Sequence, residues 1–203
     1  MGVKITAQPI AEPLTIEECR LHLNVDPLDI EVSHPDDAMI MALQGAAREW
    51  CEDFSGLSLA VKTYEMALDV FPNDEIRLPS PPIVEVVSIK YLDTDFVEQI
   101  LPNDQYTIDS YQRPGWVMPA YGTNWPATAP VANAVKITYR SGFAVPGDDV
   151  EIDALPFVER AAMCLVMGHL YRNRETTVEK ALTEIPYGAE ALLRPRRVLL
   201  GMA

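Results

Sequence analysis

The chain has 203 residues, 48% of them hydrophobic and 23% charged, and carries a net charge of −14. That profile belongs to a globular protein. The surplus of carboxylates argues against a nucleic-acid-binding surface, whose affinity comes from Lys and Arg on phosphates, and against docking on anionic lipid. Three cysteines, Cys19, Cys51 and Cys164, form an odd, sparse set that suits free buried thiols in a reducing compartment.

The longest strongly apolar stretches, Ala161 to Leu170 and Ala189 to Leu193, fall well short of the ~20 residues a membrane span needs. Charge is uneven along the chain. Residues 1–151 carry 9 Lys and Arg against 24 Asp and Glu, whereas residues 152–203 carry 7 against 6. The C-terminal end therefore has a different electrostatic character from the body.

The stretch up to Pro13 is polar and contains prolines, and no element is assigned to it. Leu14 to Asn24 reads as a short helix, because Thr15 and Glu18 have capping-box spacing. Asp26 to Pro35 is an acidic loop. Asp36-Asp37 opens a second helix, in which Met39, Ile40, Leu43, Ala46, Ala47, Trp50 and Phe54 recur at helical spacing and Gly56 stands at the C-cap.

The period then changes from 3.6 to 2. Val61–Phe71, Glu75–Leu78, Val84–Leu92, Val97–Leu101, Tyr106–Tyr111, Gly115–Met118 and Ala134–Tyr139 alternate and are rich in strand formers. Turn residues separate them, and ten of the 17 prolines fall between Pro72 and Pro146. Short strands with proline-rich turns predict a compact antiparallel β unit. Helical periodicity returns at Asp153, with an apolar stripe of Phe157, Val158, Ala161, Ala162, Leu165, Val166, His169 and Leu170. A turn at Ile185-Pro186 precedes a last short helix, Ala189–Leu193.

The expected fold class is α+β: a mainly helical bundle with an inserted antiparallel β unit. The expected division is residues 1–57 as an N-terminal helical part, 58–147 as an inserted β domain, and 148–203 as a C-terminal helical part packing on 1–57 and ending in a tail. Trp50, Leu165 and Val166 are the expected core where the flanks meet.

The search for chemistry finds no phosphate-binding glycine loop, nucleophile elbow, zincin helix or C-x-x-C pair. No catalytic residue, cofactor or metal site is expected. His169 reads as a core or interface histidine. Asp36-Asp37 complements a helix dipole, Asp93-x-Asp95 reads as a hairpin turn, and Asp148, Asp149 and Glu151 as solvated. Trp50, Trp116 and Trp125 are read as packing residues rather than a sugar platform.

The order and spacing of several segments resemble one family. Leu14-Thr15-Ile16-Glu17-Glu18 through His22-Leu23-Asn24-Val25 matches its opening helix. Asp36-Asp37-x-x-Ile40 followed by Ala46-Ala47-Arg48 and Glu52-x-x-Ser55-Gly56 matches the second. Leu78-Pro79-x-Pro81-Pro82, Tyr106-Thr107-Ile108, Trp125-Pro126 and Tyr139-x-x-Gly142 match an insert. Gly168-His169-Leu170-Tyr171-x-Asn173-Arg174-Glu175 and Leu192-Leu193-x-Pro195-x-Arg197-Val198 match the closing segments. The chain thus resembles the bacteriophage head–tail connectors (gp6-like adaptors) in their longer form with an inserted β block.

The resemblance implies a structural virion protein, not an enzyme. It implies a ring of about twelve copies beneath the portal protein, assembled in the host cytoplasm. The ring would extend the channel through which packaged DNA passes without sequence-specific binding, and offer an attachment surface to the next head-completion or tail protein. A tail terminator or glycan-binding tip would share the β block but leave the helical flanks unexplained, and a hydrolase would need a nucleophile–base pair that the residues do not supply. The tail unites Arg194, Arg196 and Arg197 with the apolar Val198, Leu199 and Leu200. It reads as a docking arm, the alternative being that it folds back on its own bundle.

Overall fold

The computed structural model describes residues 1–25, 34–145, 154–173 and 187–198. The expected loop after the first helix, the Asp148-Asp149-Glu151 group, the helix start at Asp153, the Ile185-Pro186 turn, and Leu199 and Leu200 lie outside them. The described elements are α+β. The chain forms two compact units: a helical unit of Ile10–Leu59 and Ala144–Arg197, and a β unit of Met1–Pro9 and Ala60–Phe143 together with Val198.

The helical unit holds α1 (Ile16–Leu23), α2 (Asp37–Ser55), α3 (Phe157–Arg172) and α4 (Tyr187–Leu193). Thr15 and Glu18 close the capping box at α1, the Thr15 side chain accepting from the Glu18 N–H and Glu18 from the Thr15 N–H at 2.8 Å. Arg20 on α1 grips Asp37, the first residue of α2, with Nε to Oδ1 at 2.8 Å and Nη2 to Oδ2. The His34 N–H donates to the same carboxylate at 2.9 Å, and the Tyr171 hydroxyl of α3 to Asp36 at 2.7 Å. Gly56 ends α2 in the left-handed conformation, φ 73°.

The buried face of α2 keeps Ile40 and Ala47 of the expected apolar stripe and is rotated from the rest of it. It comprises Ile40, Gln44, Ala47, Arg48, Cys51, Glu52 and Ser55, while Trp50 stays half-buried, stacked on Phe54 with centroids 5.3 Å apart. Polar groups join Ile40, Ala47 and Cys51 on the inward face because they find partners there. Gln44 Nε2 donates to the Leu14 carbonyl at 2.5 Å. Arg48, only 4% exposed, donates to Glu12 at 2.8 Å and to Glu52 at 2.9 Å. Glu52 in turn accepts the Leu59 N–H at 2.9 Å. Burial works to lower the pKa of the Arg48 guanidinium; the Glu12 hydrogen bonds and the charges of Glu52, Glu12 and Glu49 outweigh it, and the net shift is upward.

In α3 the buried stripe is Glu159, Ala162, Met163, Val166 and Met167, the i, i+3, i+4, i+7, i+8 face. The expected core residue Val166 lies on it. Leu165 does not: it is 38% exposed, and its Cδ1 lies 3.5 Å from where a Cβ on Gly188 of α4 would stand. Counting apolar residues alone rotated the predicted stripe, because its polar head, Glu159, carries no apolar signal.

The β unit contains two antiparallel sheets. The larger runs β1 (Gly2–Ala7), β2 (Lys62–Leu68), β8 (Val135–Ser141), β4 (Ile83–Leu92) and β5 (Glu98–Ile100); the smaller runs β3 (Ile76–Leu78), β7 (Gly115–Pro119) and β6 (Tyr106–Asp109). Strict alternation in β2 and β8 sends Tyr64, Met66, Ile137 and Tyr139 into a shared core with Leu78, Ile89 and Val117. Tyr64 stacks on Tyr139 at 5.4 Å, and the Tyr139 hydroxyl donates to the Pro79 carbonyl at 3.1 Å. Gly142, at φ 138°, is required by contact: a Cβ there would fall 2.2 Å from the Ala60 carbonyl oxygen. The strand β1, to which the sequence reading assigned no element, pairs with β2 from Gly2 opposite Ala67 to Ala7 opposite Thr63, with a bulge between Ile5 and Ala7.

Three outcomes follow. Val166→Asp, which buries an unpaired charge, costs about 3–5 kcal/mol, whereas Leu165→Asp on the flank costs at most about 1 kcal/mol; thermal melts of both variants check the order. Arg48→Ala costs about 3–5 kcal/mol because it removes the buried guanidinium that Glu12 and Glu52 share, and Arg48→Met combined with Glu52→Gln costs less than Arg48→Ala alone. The Arg20 hydrogen bonds hold the Asp37 carboxyl below its ordinary value of 3.8. A carboxyl with a lowered folded-state pKa stabilises the fold above that value and loses the contribution as pH falls through the folded pKa. Melting temperature measured from pH 5 downward therefore falls less steeply in Arg20→Ala than in the parent.

Candidate functional site

Nucleophile, base and metal chemistry find no assembled geometry among the described residues. Cys19 and Cys51 are buried, and burial pushes both thiols up to about 12, with Cys164 adding to the rise at Cys19 and Glu52 to that at Cys51. Such thiols stay protonated and are poor nucleophiles. His34 uses Nδ1 to accept the Asp36 N–H at 3.1 Å, and the His169 carbonyl accepts Asn173 Nδ2 at 2.9 Å. No group of three or more His, Cys, Asp or Glu side chains among the described residues is arranged to hold a metal ion.

The acidic motifs serve the fold. The Asp93 carboxylate accepts the N–H groups of Asp95 at 3.0 Å and Val97 at 2.9 Å and Gln99 Nε2 at 2.8 Å. The Val97 bond leads in lowering its pKa, followed by that of Gln99. The tryptophans are likewise engaged at separate places: Trp116 Nε1 donates to Asp109 at 2.8 Å, and Trp125 stacks on Phe71 at 4.8 Å.

What the structure offers instead are surfaces. The first is the C-terminal turn. After α4, whose Ala189 and Leu193 are fully buried, Arg194–Arg196 form a single 3₁₀ turn. Arg196 Nη1 lies 3.7 Å from Glu159 Oε1, and the Arg197 guanidinium sits 4.9 Å above the Phe54 ring, a cation–π distance. Arg194, Arg196 and Arg197 are all exposed, and Val198 is half-buried. Two members of the basic triplet thus make a contact on their own helical unit while staying exposed.

Glu159 is the residue that the sequence reading missed. It is 0% exposed, and neither carboxylate oxygen has a hydrogen-bond partner. Its position in the first turn of α3 gives it the positive end of the helix dipole, and Arg196 is the cation beside it. A lone Glu two residues past Phe157 carries no sequence signal of burial.

The second surface is the outer face of the five-stranded sheet. It gathers basic residues of a strongly acidic chain into cross-strand ion pairs: Lys4 with Glu65 at 2.7 Å, Arg140 with Glu85 at 3.2 Å and Lys90 with Glu98 at 3.0 Å. In the β unit Tyr111 and Tyr121 also stand fully exposed, and tyrosines in such positions are frequent interface anchors.

No protein-family model and no curated protein matches the chain. Solved structures do match. The fold is similar to that of a chain in the virion of the native gene transfer agent (GTA) particle, with TM-score 0.75 and 21% identity over 98% of this chain and 96% of that one. It is similar to a chain in the neck of the empty GTA particle computed with C6 symmetry, with TM-score 0.77 and 22% identity over the same shares. A chain in the neck of the native GTA particle computed with C12 symmetry gives TM-score 0.71 and 21% identity, again over 98% and 96%. At these identities the likeness is one of fold, and it extends over nearly the whole of each chain.

Proposed function

We propose that the chain is a structural neck protein of a phage-like particle: a head–tail connector that forms a ring below the portal protein, extends the DNA channel and offers a surface to the next head-completion or tail protein. The observation that carries this reading is the fold likeness to GTA neck chains across 98% of the chain. The C6 and C12 symmetries of those necks favour a ring, with about twelve copies per neck. The net charge of −14 suits a channel through which DNA slides, since like charges repel. In this reading the protein is not an enzyme, acts in the virion after assembly in the host cytoplasm, and contacts DNA without reading its sequence. The arm that docks on the portal comprises Arg194, Arg196, Arg197, Val198, Leu199 and Leu200; Arg196 and Arg197 are exposed and also contact Glu159 and Phe54 of the helical unit.

Deleting the gene from the producing strain and imaging the particles tests the assignment. Filled heads without tails are expected, and normally tailed particles refute it. Removing residues 198–203 keeps the contacts of Arg196 and Arg197, so the melting curve stays unchanged while attachment to the particle is lost. Normal attachment by the truncated chain refutes the arm.

A further inference from the structure

Two runs of exposed residues lie on opposite edges of the five-stranded sheet. Met1 to Gln8 is exposed throughout, and so is Thr94 to Ile100; the strand order puts β1 at one edge and β5 at the other. Each edge carries unpaired backbone groups, a ready template for pairing with another chain.

Both edges also display apolar side chains. In β1 these are Val3 and Ile5, which the register sets opposite Met66 and Tyr64 on the core-facing side, yet they remain 40% and 45% exposed. At the far edge, Phe96, Val97 and Ile100 are more than half exposed. Phe96 adopts φ 63°, a left-handed backbone that is costly for a bulky aromatic residue. The Asp93 carboxylate holds the turn that presents it to solvent.

The edges are opposite in charge. The first strand carries Lys4 and no acid, whereas the β4–β5 hairpin carries Asp93, Asp95 and Glu98. Lys4 meets Glu65 and Glu98 meets Lys90 within one copy, through exposed ion pairs that leave the hairpin with an excess of carboxylates. Apolar residues on both sides and complementary charge identify the occupant of each edge as the other edge of a second copy. A contact between two different patches is heterologous, and such contacts close into rings when the rotation allows.

We propose that the five-stranded sheet continues from copy to copy, the free edge of β1 in one copy lying along the β4–β5 hairpin of the next. Backbone hydrogen bonds join the edges, Val3 and Ile5 are covered together with Phe96 and Val97, and Lys4 faces the hairpin carboxylates. This contact goes beyond the neck assignment and is tested on the purified chain, so failure of either leaves the other standing.

The test uses full-length protein in a Cys164→Ser background, which leaves only the buried Cys19 and Cys51. One population carries Val3→Cys and a second, of distinguishable mass, carries Val97→Cys. They are mixed at high concentration and mildly oxidised. The mixed disulfide is expected in several-fold excess over either self-pair, and a single chain bearing both substitutions is expected to give a covalent ladder. Absence of the mixed product, or dominance of the Val3–Val3 pair, overturns the proposal. Phe96→Asp, at an exposed turn, is expected to cut the mixed product several-fold while leaving the melting curve in place; an undiminished yield also overturns it.

Discussion

Arg48 is the residue on which the helical unit depends. Its guanidinium is almost fully buried and holds two carboxylates, Glu12 and Glu52, and Glu52 passes the connection on to the Leu59 backbone. Glu12 lies just inside the point where the chain enters this unit, and Leu59 is the last residue before it leaves. One cation therefore ties both the arriving and the departing strand of chain to the middle of α2. An ion pair removed from water contributes little net stability against an apolar equivalent, so its value here is in specifying where the two crossings sit. A Leu–Leu contact at the same place would tolerate sliding; a bidentate guanidinium with two acceptors on different segments does not.

The same logic explains how an acidic chain spends its cations. Arg20, Arg48, Arg160 and Arg196 each meet a carboxylate within the helical unit: Asp37, Glu12 with Glu52, Glu18, and Glu159 respectively. On the sheet, Lys4, Lys90 and Arg140 do the same across strands. Many of the 16 basic residues are thus consumed in holding elements together, and the exposed remainder is dominated by carboxylates. Such a surface repels polyanions and other copies of itself except where a local patch reverses the sign.

Much of the fold was legible because its signals are local. The capping box at Thr15, the alternation of β2 and β8 and the Gly56 cap each appear where expected, since backbone hydrogen bonding and burial act there over a few residues. Two things were hidden for physical reasons. The inward face of α2 mixes Ile40, Ala47 and Cys51 with Gln44, Arg48 and Glu52, and partners outside the helix help make that tolerable: the Leu14 carbonyl, Glu12 and the Leu59 N–H. Likewise Glu159 is buried through its relation to a turn some forty residues away. The strand β1 did have a signal, the alternating Val3-Lys4-Ile5-Thr6, but it is four residues long and close to Pro9. The candidate surfaces were the least legible. An exposed strand edge is defined by its lack of neighbours, and no sequence pattern encodes that. The basic triplet was visible as charge, but not the direction in which Arg196 and Arg197 would turn.

The close approach at Gly142 has a consequence for how such a chain changes over generations. Ala60 and Gly142 bound the long excursion that forms most of the β unit, and their backbones touch. An excursion whose two ends meet asks nothing of the chain that hosts it: the gap to be bridged is the same whether eighty residues or a handful lie between. The β block can therefore lengthen, shorten or exchange its loops as a cassette while the helices keep their register. A residue it cannot freely vary is the glycine at its seam, because any side chain there would force the two ends apart.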